Sequence, residues 1–151
     1  MNNISSNDLI NIHGTAIMIN DTGVLLRGSS GSGKSLLALQ LLDLFSPKSL
    51  LIADDRVDIL AKNNEIYMLT PKNIGGLIEL RGRGVIKKEY IKKAKLHLII
   101  DLVAEFDRYP EQDEFFTIVQ GVNIPRCPVP NRQTIDSMHQ ILLIKAALNL
   151  L

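Results

Sequence analysis

Apolar positions along this chain fall into short runs separated by polar turns, with two longer stretches of helical period. Residues 14–19 and 24–27 are apolar and rich in β-branched side chains. Between them Asn20-Asp21-Thr22-Gly23 has the composition of a tight turn, so the two runs predict an antiparallel pair. A Gly/Ser segment follows at residues 28–33. From Lys34 to Phe45, Leu36, Leu37, Leu39, Leu41, Leu42 and Leu44 predict a well-buried helix that Pro47 keeps from continuing. Ser49 to Ala53 reads as a buried strand whose carboxyl end carries Asp54 and Asp55. Val57 to Leu60 and Glu65 to Leu69 flank Lys62-Asn63-Asn64 and predict a second hairpin, and Leu77 to Leu80 and Leu96 to Val103 are further strands. A last helix is expected over Thr134 to Leu151, with Ile135, Met138, Ile141, Leu142, Lys145 and Leu148 at helical spacing.

The order is strands, one helix, then several strands with little helix between them. Strict strand and helix alternation would give a parallel doubly wound sheet; its absence predicts an α/β domain with a mixed, largely antiparallel sheet. At 151 residues the chain fits a single domain spanning 1–151, long enough to bury a core. Seventeen basic against 16 acidic residues leave a formal net charge of +1, which gives no general affinity for nucleic acid or membrane. Cys127 is the only cysteine, so no intrachain disulfide can form, and it reads as a buried or half-buried thiol. The N-terminus lacks the basic and apolar regions of a secretory signal, and the longest apolar stretch, Ile141 to Leu151, is too short to span a bilayer. A cytoplasmic protein is expected.

The chemistry concentrates after residue 27. Gly28, Ser29, Ser30, Gly31, Ser32, Gly33, Lys34 and Ser35 satisfy G-x-x-x-x-G-K-[ST] in full, between a predicted strand and a predicted helix. Glycines let successive backbone N–H groups turn toward phosphates, and a helix N-terminus adds its positive end. Lys34 would reach the β and γ phosphates of ATP, and the Ser35 hydroxyl would ligate Mg²⁺. A loop that merely connects strand to helix has no need of Lys-Ser at that register. Asp54 and Asp55 end the next strand, where an open sheet presents ligand groups. One carboxylate there can organise the metal and a second can accept the proton of an incoming hydroxyl, whereas alone the pair could be solvated turn residues beside Arg56. Neither the Asn-Lys-x-Asp element of guanine-specific switches nor the Ser-Gly-Gly-Gln signature of transporter ATPases is present. A kinase, or a nucleotide binder without turnover, remains.

His13-Gly14, the P-loop, Leu51-Ile52-Ala53-Asp54-Asp55-Arg56-Val57 and the run from Gly76 through Glu79-Leu80-Arg81-Gly82-Arg83-Gly84 to Ile86 resemble, in order and spacing, the catalytic domain of HPr kinase/phosphorylase. Phe106-Asp107-Arg108 is similar to that family's Phe-Asp-Arg segment, and Pro128-Val129-Pro130-Asn131-Arg132 to its loop before a helix, with Asn131 in place of a glycine and Gln133 in place of the final Asn. The resemblance implies a fold like phosphoenolpyruvate carboxykinase. It implies two activities at one site: phosphorylation of a serine on HPr by ATP, and phosphorolysis of phospho-HPr to pyrophosphate. By the same resemblance Glu79 is a further Mg²⁺ ligand, His13 is functional, and the acid pair holds the general base, with Asp54 preferred and Asp55 close behind. Arg81 and Arg108 would neutralise phosphate charge, and Arg132 belongs to the loop linked to phosphorolysis. The resemblance is to the short form lacking the N-terminal domain, and it implies a homo-oligomer, hexameric in the family. Lys87-Lys88 and Lys92-Lys93 form a basic run, ordinarily a solvated face, that could touch an acidic protein. Two other functions fit the motif: a kinase of a small metabolite, and a nucleotide-binding regulator without turnover.

Overall fold

A computed structural model describes residues 9–151. In chain order the elements are β1 (Ile10–His13), β2 (Thr15–Ile19), β3 (Thr22–Arg27), α1 (Lys34–Leu44), β4 (Ser49–Ala53), β5 (Arg56–Lys62) and β6 (Glu65–Leu69). After them come β7 (Leu77–Leu80), β8 (Gly84–Lys87), β9 (Lys93–Val103), a 3₁₀ turn at Gln112–Phe115, β10 (Phe116–Val119), β11 (Val122–Pro130) and α2 (Ser137–Asn149). The main sheet runs β1-β5-β6-β9-β3-β2-β4, with β11 added to β9 and β10 to β11, while β7 and β8 form a separate hairpin. Two pairings are parallel, β3 with β9 and β9 with β11, and the others between named strands are antiparallel. The mixed, largely antiparallel sheet expected from the element order is therefore present.

Strand alternation sorts the apolar side chains onto two faces of this sheet. Ile17, Ile19, Val24, Leu26, Leu98 and Ile100 share one face with Leu37, Ala38, Leu41 and Leu42 of α1 and Ile144 of α2. Ala16, Leu25 and Ile99 face the other way, against Val57, Ile59, Ile66 and Met68, so the curled β5–β6 part closes the second layer. Each fully buried Leu or Ile contributes about 1.5–3 kcal/mol relative to an exposed one. Both expected hairpins form. Ile19 pairs with Thr22 across Asn20-Asp21, and Lys62 pairs with Glu65 across Asn63-Asn64, whose φ values of 53° and 59° suit the type I′ turn that Asn favours.

The structure adds strands the hydrophobic pattern did not predict. β1 precedes the first expected strand, with Gly14 the break between β1 and β2. β11 carries Pro125, Pro128 and Pro130, which argue against a central strand. It accommodates them because β10 pairs only with 122–125 and β9 only with 126–130, leaving each residue one free edge. α2 starts three residues later than the periodicity suggested. Asp136 caps it by accepting from the His139 amide at 2.8 Å, and Thr134 Oγ1 is committed to the Ala104 carbonyl at 3.0 Å.

The two parallel pairings set the site. β3, β9 and β11 run side by side in one direction, so the segments that leave their carboxyl ends, at Gly28, Ala104 and Asn131, share one rim of the sheet. That is where an open α/β sheet presents ligand groups. The Asn131 amide donates to the Val103 carbonyl at 2.8 Å and joins two of these segments directly.

Candidate active site

The P-loop leaves β3 at Arg27 and enters α1 at Lys34. Gly31 and Gly33 adopt φ values of 78° and 97°, and a Cβ on Gly31 would meet nothing within 4 Å, so the loop is open on that side. No side chain caps α1 and no acidic residue sits in its first turn. Among the described residues the Gly31 and Gly33 amides donate to no backbone carbonyl, and the buried Ser32 Oγ has no partner. An uncapped helix N-terminus with free N–H groups and an orphaned hydroxyl fits the oxygens of a phosphate chain. Lys34, only 7% exposed, points its Nζ into the loop and donates to the Gly28 and Ser29 carbonyls at 2.9 and 3.0 Å. Burial pulls its ammonium below the ordinary value of 10.5, and the charges of Asp55 and Asp54 oppose that shift.

Across from the loop, β4 ends at Ala53 and delivers Asp54 into a ring of donors. Asp54 Oδ1 accepts from Ser35 Oγ at 2.7 Å and from Thr15 Oγ1 at 2.9 Å, and Oδ2 accepts from the Glu79 amide at 3.2 Å. The carboxylate is nearly buried. A buried acid is tolerable here because three donors satisfy it. The hydrogen bond to Ser35 places the first acid on the same side of the sheet as the P-loop.

Asp55 takes the opposite course. Its φ of 69° swings the next side chain outward, a conformation held by the Gly14 amide donating to the Asp55 carbonyl at 3.0 Å and the Arg56 amide donating to the Asp54 carbonyl at 2.8 Å. The Asp55 side chain is 73% exposed, and its Oδ1 lies 3.3 Å from His13 Nδ1. His13 ends β1 and pairs with Arg56 of β5, which brings the histidine to this turn. The two acids, adjacent in sequence, therefore occupy different environments.

Glu79 is carried by the β7–β8 hairpin. Ile78 is buried in the α1 layer, so the alternate residue Glu79 faces outward, with Oε1 4.0 Å from Arg81 Nε. Arg81, at the hairpin tip, is exposed. Arg132, leaving β11, lays its guanidinium against the P-loop: a Cβ on Gly33 would sit 3.2 Å from Arg132 Nε. Asn131 does not use positive φ where the family loop has glycine. Its Oδ1 accepts from the Gln133 amide at 3.1 Å and closes the turn by its side chain. Arg108 follows β9 on the same rim, with its guanidinium 5.8 Å from the Tyr109 ring, and no observed contact joins it to the P-loop. It lines a groove of about 1380 Å³ with Phe106, Asp107, Phe116 and His139, whose lining includes none of Lys34, Ser35, Asp54 or Glu79. The convergence of phosphate and metal donors is instead at the P-loop.

Two contributors were absent from the sequence reading. Thr15 looked like one more residue of an apolar strand; the only signal was a hydroxyl at an inward position. Asp101 accepts from Arg27 Nε and Nη2 at 2.7 and 2.8 Å, and from Arg126 Nε, tying β3, β9 and β11 together one residue before the P-loop begins. Charged residues within apolar strands, Arg27 at the end of β3 and Asp101 inside β9, needed partners, which was the available clue.

Among the described residues no group of three or more His, Cys, Asp or Glu forms a metal cage. Mg²⁺ that arrives with a nucleotide uses one or two protein groups plus phosphate oxygens, so Ser35 and Glu79 fit that need, with Asp54 holding the Ser35 hydroxyl. Fold and cradle together define a P-loop domain. The model of the HPr Serine kinase C-terminal domain matches residues 6–150, and the chain belongs to that family. The HPr kinase/phosphorylase of Lactobacillus acidophilus is 34% identical over 151 residues, covering 91% of this chain and 45% of that protein. The HPr kinase/phosphorylase of Streptococcus equi subsp. zooepidemicus is 36% identical over 132 residues, covering 79% of this chain and 41% of its own length. The chain thus spans less than half the length of these curated relatives. The solved structure of the Hpr(Ser) kinase/phosphatase from Coxiella burnetii superposes with a TM-score of 0.73 at 25% identity, over 93% of this chain and 98% of that one. Among the described residues no helix is long and apolar enough to cross a membrane.

Proposed function

We propose that residues 1–151 act as one catalytic domain that uses ATP and Mg²⁺ to phosphorylate a serine of HPr or a similar small phosphocarrier protein. In the reverse direction inorganic phosphate would attack the phosphoserine, releasing the serine hydroxyl and pyrophosphate. The observation that carries this reading is the division of the acid pair: Asp54 is buried and accepts from Ser35, Thr15 and the Glu79 amide, while Asp55 stands open beside His13.

The roles follow from the geometry. The amides of the P-loop and Lys34 bind the phosphate oxygens, and Ser35, held by Asp54, turns its lone pairs toward the metal side with Glu79 nearby. Mg²⁺ bound there supplies neutralisation of the charge on the β and γ phosphates. Asp55 takes the proton of the incoming serine hydroxyl, with His13 orienting its carboxylate, and returns that proton to the serine oxygen in the reverse direction. The sequence favoured Asp54 for this step; exposure and free lone pairs favour Asp55. Arg132, against Gly33, and Arg81, on the hairpin tip, supply donors for the transferred or the second phosphate. Arg108 leaves the same rim as the P-loop. The same reading gives a cytoplasmic protein working as a homo-oligomer.

Labelled phosphate transfer from ATP to HPr tests it. The wild-type protein should label HPr only with Mg²⁺ present, and Lys34→Ala should not. Equal labelling by both, or by neither while ATP still binds, contradicts the reading.

A further inference from the structure

Thr15 lies one strand away from the P-loop, matches no motif, and is fully buried. Its hydroxyl donates to Asp54 Oδ1 at 2.9 Å, the same oxygen that accepts from Ser35 Oγ at 2.7 Å. We propose that Thr15 is a positioning residue for the Mg²⁺ site, holding Asp54 so that the Ser35 hydroxyl must present its lone pairs to the metal. The inference rests on the Mg²⁺-nucleotide reading above and does not depend on the identity of the phosphoryl acceptor.

An ionised carboxylate only accepts, so both hydroxyls that meet Oδ1 must spend their single proton on it. Ser35 Oγ then has its proton directed at Asp54 and its two lone pairs free, as a cation requires. Oδ1 could satisfy Ser35 from several rotations of the carboxyl group. Thr15 and the Glu79 amide remove that freedom by holding Oδ1 and Oδ2 respectively. Thr15 is itself rigid: it is β-branched, fully buried, and paired with Leu26 of β3 in the sheet. Its neighbour Gly14 donates to the Asp55 carbonyl, so the start of β2 fixes the turn bearing both acids.

The test uses the full chain and isothermal calorimetry of nucleotide binding, with no phosphoryl acceptor. ATP affinity is measured in chelator, and again while Mg²⁺ is titrated at fixed ATP. Thr15→Val removes the hydroxyl and keeps the branched shape. The Mg²⁺ concentration giving half the metal-dependent gain should rise roughly tenfold, as expected for one lost hydrogen bond to a charged group. Metal-free ATP affinity should stay within about twofold of wild type. Thr15→Ser, which restores the hydroxyl, should titrate like wild type. If Thr15→Val does not fold, Thr15→Ala makes the same comparison. The proposal is overturned if the variant lacking the hydroxyl titrates like wild type, if it loses metal-free and metal-dependent binding equally, or if Thr15→Ser is as impaired as Thr15→Val. A protein that binds Mg²⁺-ATP as described yet phosphorylates no carrier would refute the proposed function and leave this inference standing.

Discussion

Ser35 donates its hydroxyl proton to Asp54 at 2.7 Å, and this one bond puts the P-loop and the end of β4 into a single site. Their strands are not neighbours in the sheet: β3 leads into the P-loop, while β4 lies on the far side of β2. The antiparallel pairing of β2 with both strands closes the gap. Asp54 and Asp55 can then serve different ends.

The two acids should separate experimentally. Asp55→Asn leaves a residue that tolerates φ of 69°, so unfolding free energy in urea should stay within about 0.5 kcal/mol of wild type. Its turnover should nevertheless fall by about 10²–10⁴, with little change in KM for ATP, as expected for loss of a general base. Asp54→Asn turns an amide NH₂ toward existing donors and should cost about 1–3 kcal/mol of stability as well as activity. Stability losses in the reverse order would contradict the assignment.

Acid stability should report the Asp101 cluster. Burial pushes the Asp101 carboxyl up, but hydrogen bonds from Arg27 and Arg126 outweigh it and hold it below its ordinary value of 3.8. A depressed carboxylate stabilises the fold above its unfolded-state value and loses that contribution as pH falls through the folded-state value, so the window lies below 3.8. At pH 6, Asp101→Asn should lose about 3 kcal/mol, because two arginines are left without their partner. The gap between variant and wild type, measured by denaturant titration at successive pH values, should narrow as pH falls through that window. A gap that stays constant to low pH would contradict the account.

Gly23 should resist any side chain. A Cβ there would fall 1.9 Å from the Lys95 carbonyl oxygen, which is backbone and cannot turn aside. Gly23→Ala must open the β3–β9 pairing that positions the P-loop, costing about 3 kcal/mol or more in thermal or denaturant unfolding. An alanine variant as stable as wild type would show that β3 and β9 do not approach so closely.

Much of this was legible in the sequence. The P-loop spacing, the hairpin at Asn63-Asn64, α1, and the acids ending β4 follow from local chemistry that the tertiary structure did not override. β11 was hidden by its prolines, which are costly in a central strand and harmless where each residue keeps a free edge. Thr15 and Asp101 were hidden for another reason: a single polar residue inside an apolar strand gives no local sign of whom it meets. The preference between Asp54 and Asp55 was likewise undecidable from sequence, since it depends on one positive φ and on donors from β2, α1 and β7. Arg108 was predicted at the phosphates; its guanidinium lies 5.8 Å from the Tyr109 ring, at the groove.

Arg132 offers a way to probe the reverse direction. Its guanidinium rests on Gly33, where a second phosphate would need a donor. Arg132→Ala should reduce pyrophosphate release from phospho-HPr and inorganic phosphate by about 10²-fold, and ATP-dependent phosphorylation by less. Equal loss in both directions would show that Arg132 serves only the common phosphate.

The most direct measurement is mass spectrometric mapping of HPr after incubation with this protein, ATP and Mg²⁺. The account predicts one phosphoryl group on a serine, produced by wild type, abolished in Lys34→Ala and nearly abolished in Asp55→Asn. Unmodified HPr with wild-type protein that binds Mg²⁺-ATP, or full modification by Asp55→Asn, would contradict it.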